Sequence, residues 1–438
     1  MKTFPGFKFP EKVRLSGADC FHLVLDKHAQ KHGAGGNVMR QVFYFNKSVP
    51  AETINVILKG SPIIHWLCNI KLVSGKLFRV PHWKYTHSSN EIILLEHEVD
   101  EDNKVPEFIL DRDIPLGADR FIEADLLHYR SGACAFVLSW NHVLMDAKGT
   151  RLLFDHLNRL SENKDIHAAH FFPATEKKTG LITHIRNMYK VKSFIQQSSG
   201  APVSSIGKKH HRIDAGLSRY ITFRFNSTET NKINNNAIQA GSRFGPSLFF
   251  IACCSQVIHL FNSSKQKKGD TWLPVPYDGR LKGGSGPLVS NSVSFIFYRL
   301  RPDEMNSPGK AVKSLAAQMT EQIKDGMPQK YSMFLDMMRY VPLWLYYLLI
   351  SRTGEGTFAS FLYTSTGENF NDLDSFFGEP VRDLALIPAL TFPPGFTFVF
   401  LKHAGELKVE IAYSPDVIGN NDLLLIEEHL RKLLLTEN

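Results

Sequence analysis

The sequence predicts an α/β (α+β) protein built from two comparable halves, and three observations support this. At 438 residues the chain is too long for one small core, so two lobes are expected. Hydrophobic residues make up 43% of it and charged residues 21%, which is typical of a folded chain with large cores. Helix-like and strand-like patterns alternate on both sides of a basic segment. We therefore expect an N-terminal lobe over residues 1–175, a linker over 176–216 and a C-terminal lobe over 217–438.

The first half contains both hydrophobic periods. Apolar residues recur at helical spacing in three segments, which are 16–32, 51–61 and 149–160. Strand-like patterns occupy three others, which are 38–45, 93–98 and 133–140. The last of these is almost continuously apolar, which is typical of a strand covered on both faces.

The second half resumes the alternation after the linker, which is itself expected to be helical around 182–194. Glycine, proline and serine at 245–247 form the start signal of a helix. Helices are expected over 247–261, 308–324 and 421–435. Strands are expected over 220–225, 272–277, 289–300, 358–364, 397–402 and 408–413.

Charge and cysteine usage restrict the location and the partners. A net charge of +8 permits anionic partners. Nucleic acid is not expected among them, because the basic linker has few interleaved aromatic residues and no nucleic-acid motif occurs. The five cysteines form no C-x-x-C pair, and the N-terminus lacks the apolar core of a secretory signal, so we expect a cytoplasmic protein with buried thiols. No metal site is expected, since the helical pair His28 and His32 has no third ligand.

The most hydrophobic stretch is 340–350, which is too short to span a bilayer. Two interpretations remain open for it. Its length favours a buried core helix. Its Trp, its two adjacent Tyr and the flanking arginines also suit a helix that lies at a membrane surface, which would make the protein peripheral to the membrane.

A histidine and an aspartate, His142 and Asp146, follow the predicted strand 133–140. An imidazole can take a proton from a hydroxyl or an amine, and a nearby carboxylate can hold the turn that orients it. The segment W-N-H-V-L-M-D-A-K-G resembles the H-H-x-x-x-D-G motif of the chloramphenicol acetyltransferase-like superfamily. That superfamily includes peptide-synthetase condensation domains and wax ester synthase/diacylglycerol acyltransferases. Asn141 stands in place of its first histidine and Ala147 in place of its glycine.

Other segments resemble the same superfamily, in the order in which the family has them. They are 15–21, 272–280, 286–295, 361–367, 393–395 and 407–413. The resemblance implies two chloramphenicol acetyltransferase-like lobes with the active-site tunnel between them. It also implies that His142 is the general base and that Asp146 pairs with Arg280. The side chains implied to support the oxyanion and the substrate are Asn291, Thr364, Ser365 and Asn141.

The function that the resemblance implies is acyl transfer from a coenzyme A or acyl-carrier-protein thioester to an alcohol or amine. It requires no covalent acyl-enzyme, no metal and no permanently bound cofactor. Two alternatives stay open: a standalone condensation domain that forms an amide between carrier-bound substrates, and a non-catalytic member that binds a carrier protein or lipid. Phosphate or acidic groups on the donor would favour a basic tunnel mouth, for which the candidates are Lys208, Lys209, Arg212 and Lys282.

Overall fold

Most of both predicted halves is described by the computed structural model, which covers residues 4, 7–32, 36–117, 120–162, 164, 171–173, 189–191, 194, 202–207, 218–280, 286–352, 359–368 and 370–437. The strands in these ranges are β1 (Lys12–Arg14), β2 (Val38–Phe45), β3 (Ile70–Val73), β4 (His82–Tyr85), β5 (Leu94–Val99), β6 (Ile122–Tyr129), β7 (Cys134–Asn141), β8 (Arg219–Phe225), β9 (Thr271–Asp278), β10 (Val293–Leu300), β11 (Leu362–Gly367), β12 (Ser375–Phe376), β13 (Glu379–Pro380), β14 (Asp383–Ile387), β15 (Phe396–His403) and β16 (Glu406–Tyr413).

The α-helices in the same ranges are α1 (Gly17–Lys31), α2 (Ala51–Gly60), α3 (Pro62–Cys68), α4 (Glu107–Leu110), α5 (Ala147–Ser161), α6 (Ser227–Gln239), α7 (Ser247–Ser264), α8 (Pro308–Lys324), α9 (Met327–Met338), α10 (Leu343–Arg352) and α11 (Asn420–Leu435). A 3₁₀ helix spans Pro302–Asn306. The mixture of helices and sheets confirms the α+β class.

The larger sheet has the strand order β14–β2–β7–β6–β5, with β5 and β6 parallel and the other pairs antiparallel. β7 lies at its centre and is buried along its whole length, as its continuous apolar pattern predicted. The edge strand β14 comes from the C-terminal half of the chain and places Leu384 opposite Phe43 of β2. The two halves of the chain are therefore joined through a shared sheet.

The second sheet has the order β11–β15–β16–β8, and the hairpin of β9 and β10 lies beside it. Its core includes Phe249 and Cys253 of α7 together with Phe398 and Ile411 of the sheet. In the described part of the chain, α7 is the one helix that is long and apolar enough to cross a membrane. Most of α7 is buried in this core, so its composition is accounted for by packing.

A cluster of ionisable side chains is buried where β14 meets β16. Lys408 Nζ lies 2.5 Å from a carboxylate oxygen of Asp383, and Arg224 pairs with the same carboxylate. Glu410 is 1% exposed and accepts a hydrogen bond from the Leu386 main chain at 2.8 Å. Burial raises the pKa of Glu410 to about 8, against the opposing attraction of Lys408.

This raised pKa predicts a pH-dependent stability. A carboxyl group whose pKa is higher in the folded state stabilises the fold below its ordinary pKa, and that contribution is lost as the pH rises through about 8. We expect Glu410→Gln, which keeps an acceptor for Leu386, to flatten the decline of unfolding free energy between these limits. Urea unfolding of the wild-type protein and of the variant, at pH values from the ordinary pKa of a glutamate to about 8, measures this decline. An unchanged slope in the variant would contradict the assignment.

The regular elements follow the sequence closely where local periodicity decides them. The helices predicted at 51–61, 247–261 and 308–324 correspond to α2, α7 and α8, and the five cysteines are buried free thiols as predicted. The strand predicted at 289–300 begins only at Val293. The strand predicted at 358–364 is displaced to Leu362–Gly367, and β6 and β14 were not predicted.

A helix does form in the stretch 340–350, as α10, but it is buried on one side only. Tyr346 is buried, whereas Trp344 and Leu349 are exposed. Most of the linker 176–216 lies outside the described residues, so its boundaries stay a prediction. The helix predicted at 182–194 also lies outside the described residues, apart from 189–191 and 194, and so stays a prediction. The same holds for the four basic candidates at positions 208, 209, 212 and 282.

Candidate active site

His142 stands directly after the central strand β7, in a short loop that leads into α5. Its main-chain N–H donates to the Asn37 carbonyl oxygen at 2.8 Å, and its own carbonyl oxygen accepts from Asn291 Nδ2 at 2.9 Å. The Trp140 indole donates to the Met145 carbonyl at 3.3 Å and closes the loop. The main chain that carries the imidazole is thus held by contacts from both halves of the chain.

Asp146 lies at the N-cap of α5, where it accepts from the Gly149 N–H at 2.9 Å. The Arg280 guanidinium donates to both of its carboxylate oxygens, each at 2.9 Å, in a two-pronged ion pair. The Ser292 N–H adds a third donor at 2.8 Å. With the Arg280 side chain only 4% exposed, this pair fixes the loop of His142 to the segment that follows β9.

The glycine requirement lies at Gly149, two residues after the position that the family motif suggested. Ala147 is the first residue of α5 and is not among the residues with positive φ, so alanine is unstrained there. A Cβ on Gly149 would lie 2.4 Å from the Leu288 carbonyl oxygen. The absence of a side chain at Gly149 allows α5 to approach the main chain of the C-terminal half.

A second histidine, which sequence reasoning missed, lies against His142. The His22 ring of α1 stacks on the His142 ring with 3.9 Å between centroids and 21° between planes. Asn37 Nδ2 lies 3.1 Å from His22 Nδ1 and donates to it. Asn37 is held in turn by Asp26, which accepts its main-chain N–H at 3.0 Å.

A signal for this side of the site exists in the sequence. Asp19, His22 and Asp26 recur at spacings of three and four residues, which puts them on one face of α1. All three are buried, whereas the apolar residues Phe21 and Leu25 of the same helix are only half-buried. A buried polar stripe on a helix indicates either a structural network or a site.

Burial lowers the pKa of His142, while its own main chain and the charge of Asp146 act in the opposite direction. Burial and the adjacent His142 hold the pKa of His22 well below its usual range. Both rings are therefore neutral at pH 7. His142 Nδ1 is buried, which leaves Nε2 of that half-buried ring to face a substrate.

Solved structures share this architecture across almost the whole chain. The first condensation domain of the calcium-dependent antibiotic synthetase matches with a TM-score of 0.69 at 16% identity, covering 97% of each chain. The fold is that of a condensation domain. The trichothecene 15-O-acetyltransferase from Fusarium sporotrichioides matches at 0.68 and 13% identity, covering 97% of this chain and 95% of its own. The condensation domain of the monacolin K polyketide synthase matches with a TM-score of 0.64 at 11% identity, covering 97% of this chain and 96% of its own.

No sequence-family model matches the chain, and no curated protein matches it in sequence. The fold that the resemblance implies is confirmed, because these solved structures share it. The tunnel between the lobes and the roles of individual residues stay predictions.

Two of the predicted support residues of this condensation-domain fold have no free donor for an oxyanion. Asn291 Nδ2 donates to Asp19 at 2.9 Å and to the His142 carbonyl at 2.9 Å, which uses both of its hydrogens. Asn141 Nδ2 donates to Asp26 at 3.0 Å and to the Ile114 carbonyl at 3.1 Å. Neither amide has a free N–H to offer an oxyanion in this arrangement, and both contact the loop of His142 or the strand before it. Their expected role in supporting the substrate stays a prediction.

Asp19 connects the two halves beneath the site. Its carboxylate accepts from the Asn291 main chain at 2.6 Å, from Ser290 Oγ at 3.2 Å and from the Ser16 main chain at 2.7 Å. Burial raises the pKa of Asp19 although these hydrogen bonds oppose the shift. This carboxyl group therefore links the start of α1 to the segment that carries Asn291.

Thr364 and Ser365 lie on β11, in the second sheet, where they pair with Val399 and Phe400 of β15. Both are half-buried. Ser365 Oγ accepts from the Gly367 N–H at 3.3 Å. No hydrogen bond to the His142 loop is found for either in the described part of the chain, so their oxyanion role stays a prediction. Within the same described residues, no three His, Cys, Asp or Glu side chains are grouped to hold a metal ion.

Proposed function

We propose that the protein is an acyltransferase in which His142 accepts the proton of an alcohol or amine as that group attacks an acyl thioester. The observation that carries the proposal is the half-buried ring of His142, on a loop whose main chain is held by residues from both halves of the chain. Burial lowers the pKa of this ring, which favours the neutral form that a base needs. The condensation-domain fold supports transfer of acyl groups in general, because the solved structures that share it include condensation domains and an acetyltransferase.

The proposed step needs only proton transfer and a positioned electrophile. The acceptor oxygen or nitrogen bonds to the thioester carbonyl carbon while its proton passes to His142 Nε2. The tetrahedral intermediate then breaks its carbon–sulfur bond, and His142 returns the proton to the leaving thiolate. General-base assistance of this kind contributes about 10²–10⁴ in rate. No residue is acylated in this sequence of steps.

His22 would act on this step through the position of the His142 ring. Stacked at 3.9 Å, it prevents the ring of His142 from tilting towards α1. The hydrogen bond from Asn37 makes His22 Nδ1 an acceptor, so the neutral tautomer of His22 carries its proton on Nε2. We regard His22 as a positioning residue and His142 as the group that contacts the substrate.

The donor would be coenzyme A or a carrier protein, since both present the acyl group as a phosphopantetheine thioester. The acceptor stays open between an alcohol and an amine, because one neighbouring structure is named as an O-acetyltransferase and others as condensation domains. Nothing in the geometry around His142 separates ester from amide formation. The contacts of Asp146 and Arg280 serve either reaction equally.

A matrix of donors and acceptors tests the proposal. Acetyl-, octanoyl- and palmitoyl-coenzyme A, and the same acyl groups on a carrier protein, would each be incubated with 1-octanol or octylamine. We expect acceptor-dependent thiol release with at least one pair, and a product mass that identifies an ester or an amide. Thiol release that no acceptor accelerates, with no transfer product for any pair, would support the non-catalytic alternative.

A further inference from the structure

We propose that the protein docks on an anionic lipid bilayer through one apolar surface, which is distinct from the site of His142. The surface consists of Leu77 and Phe78 at a hairpin tip, Tyr340 in the turn before α10, and Leu343 and Trp344 at the start of α10. This inference is independent of the proposed acyl transfer. We call these five residues the apolar face.

The hairpin tip presents two large apolar side chains to solvent. Lys76 and Arg79 exchange main-chain hydrogen bonds at 3.1 and 2.8 Å, which leaves Leu77 and Phe78 at the turn. Leu77 is 61% exposed and Phe78 is 78% exposed. Phe78 also has a φ of 62°, a backbone conformation that bulky residues rarely adopt. Polar residues or glycine would fit such a turn better, so its apolar tip calls for an explanation.

The start of α10 continues this surface. The Phe78 N–H donates to the Tyr340 carbonyl oxygen at 3.2 Å, which places the tip beside the helix. Tyr340 lies in the turn before α10, and Leu343 and Trp344 are its first two residues. All three are exposed, Trp344 most of all at 62%. The opposite side of α10 is anchored by Tyr346, which is buried in the core that packs against the larger sheet.

Charge favours an anionic partner for the apolar face. The sequence has no Asp or Glu between residues 53 and 90, nor between 337 and 354. Lys76 and Arg79 flank the tip and are exposed, and neither has an ion pair within the described residues. Lys27 and Lys31 of α1 lie over the Tyr347 ring at 5.6 and 5.1 Å and add two cations along α10.

A lipid surface fits these features better than a second copy of the chain. Tyr and Trp side chains favour the boundary between lipid headgroups and acyl chains, and Lys or Arg near an anionic membrane is attracted to it. Two copies that met through the apolar face would bring Lys76 and Arg79 close to the same cations of the partner. That repulsion opposes a symmetric dimer.

Co-sedimentation with vesicles tests the proposal. We expect the full chain to bind vesicles of phosphatidylcholine mixed with phosphatidylglycerol, and to bind phosphatidylcholine alone much more weakly. The paired change Leu77→Gln and Phe78→Gln should reduce binding at least about tenfold, because it removes two apolar side chains that the bilayer would bury. Lys76→Gln with Arg79→Gln should weaken it and remove part of its salt sensitivity. Phe244→Gln, at a position that is 82% exposed in the turn before α7, is the matched control.

Tryptophan fluorescence supplies an independent readout. Four of the five tryptophans are buried, namely Trp66, Trp83, Trp140 and Trp272, so Trp344 alone is positioned to enter a bilayer. We expect anionic vesicles to shift its emission to shorter wavelength, and Trp344→Phe to abolish the shift. Equal binding to both vesicle types, or unchanged binding by the tip variant, would overturn the proposal. A concentration-dependent dimer without lipid that the tip variant abolishes would assign the face to a second copy instead.

Discussion

Asp146→Ala and Arg280→Ala are each expected to destabilise the protein by about 3–5 kcal/mol, because each leaves the other charge of a buried pair without its partner. Of the two single variants, Asp146→Ala should lose more unfolding free energy. Its carboxylate also caps α5 through Gly149 and accepts the Ser292 N–H, and loss of an N-cap alone costs about 0.5–2 kcal/mol.

The double variant should cost much less than the sum of the single variants, since it strands no charge. Chemical unfolding of the four proteins gives the coupling energy. Asp278→Ala is the matched control, because Asp278 contacts the same guanidinium at 3.3 Å but is 47% exposed. That change should cost no more than about 1 kcal/mol. Strictly additive losses at 146 and 280 would show that the two side chains are energetically independent.

His142→Ala is expected to leave the fold intact and to lower turnover at least about 100-fold. The first expectation follows from the geometry, since the main chain of His142 makes the hydrogen bonds that hold the loop and alanine retains them. The second follows from the loss of the proposed base. The change in unfolding free energy should therefore be smaller than the increase in activation free energy.

His128→Ala provides a control for removal of an imidazole as such. His128 lies on β6, the strand next to β7, where it is half-buried and pairs with Glu96 at 2.9 Å. Its removal should leave turnover unchanged within about twofold, because the median exposed pair contributes little. Equal losses for the two histidines would mean that the effect at position 142 is not specific.

The sequence predicted the parts of this molecule in which local pattern or residue spacing carries the information. The continuous apolar run of β7 placed a buried strand before His142, and the structure confirms it. The pairing of Asp146 with Arg280 was implied by the resemblance, and the structure shows both hydrogen bonds. The helical period of α5 likewise predicted its position.

The rest depends on contacts between distant segments. His22 meets His142 only because α1 packs against the end of β7, and no local period indicates that encounter. Asn291 donates its main-chain N–H and one amide hydrogen to Asp19, which lies 272 residues away in sequence. β14 is a strand of five residues, four of them apolar, whose pairing with β2 could not be read from those residues alone. The exposed face of α10 similarly depends on which neighbours cover it.

The ratio of kcat/KM between the wild-type protein and His142→Ala, for the best donor and acceptor pair, tests the central claim most directly. It would be measured by product mass under conditions in which circular dichroism shows both proteins folded. We predict a ratio of at least about 100, together with a wild-type acid limb below pH 6.5, as the lowered pKa of His142 requires. A folded variant that retains most of the wild-type kcat/KM would contradict the claim that His142 accepts the proton.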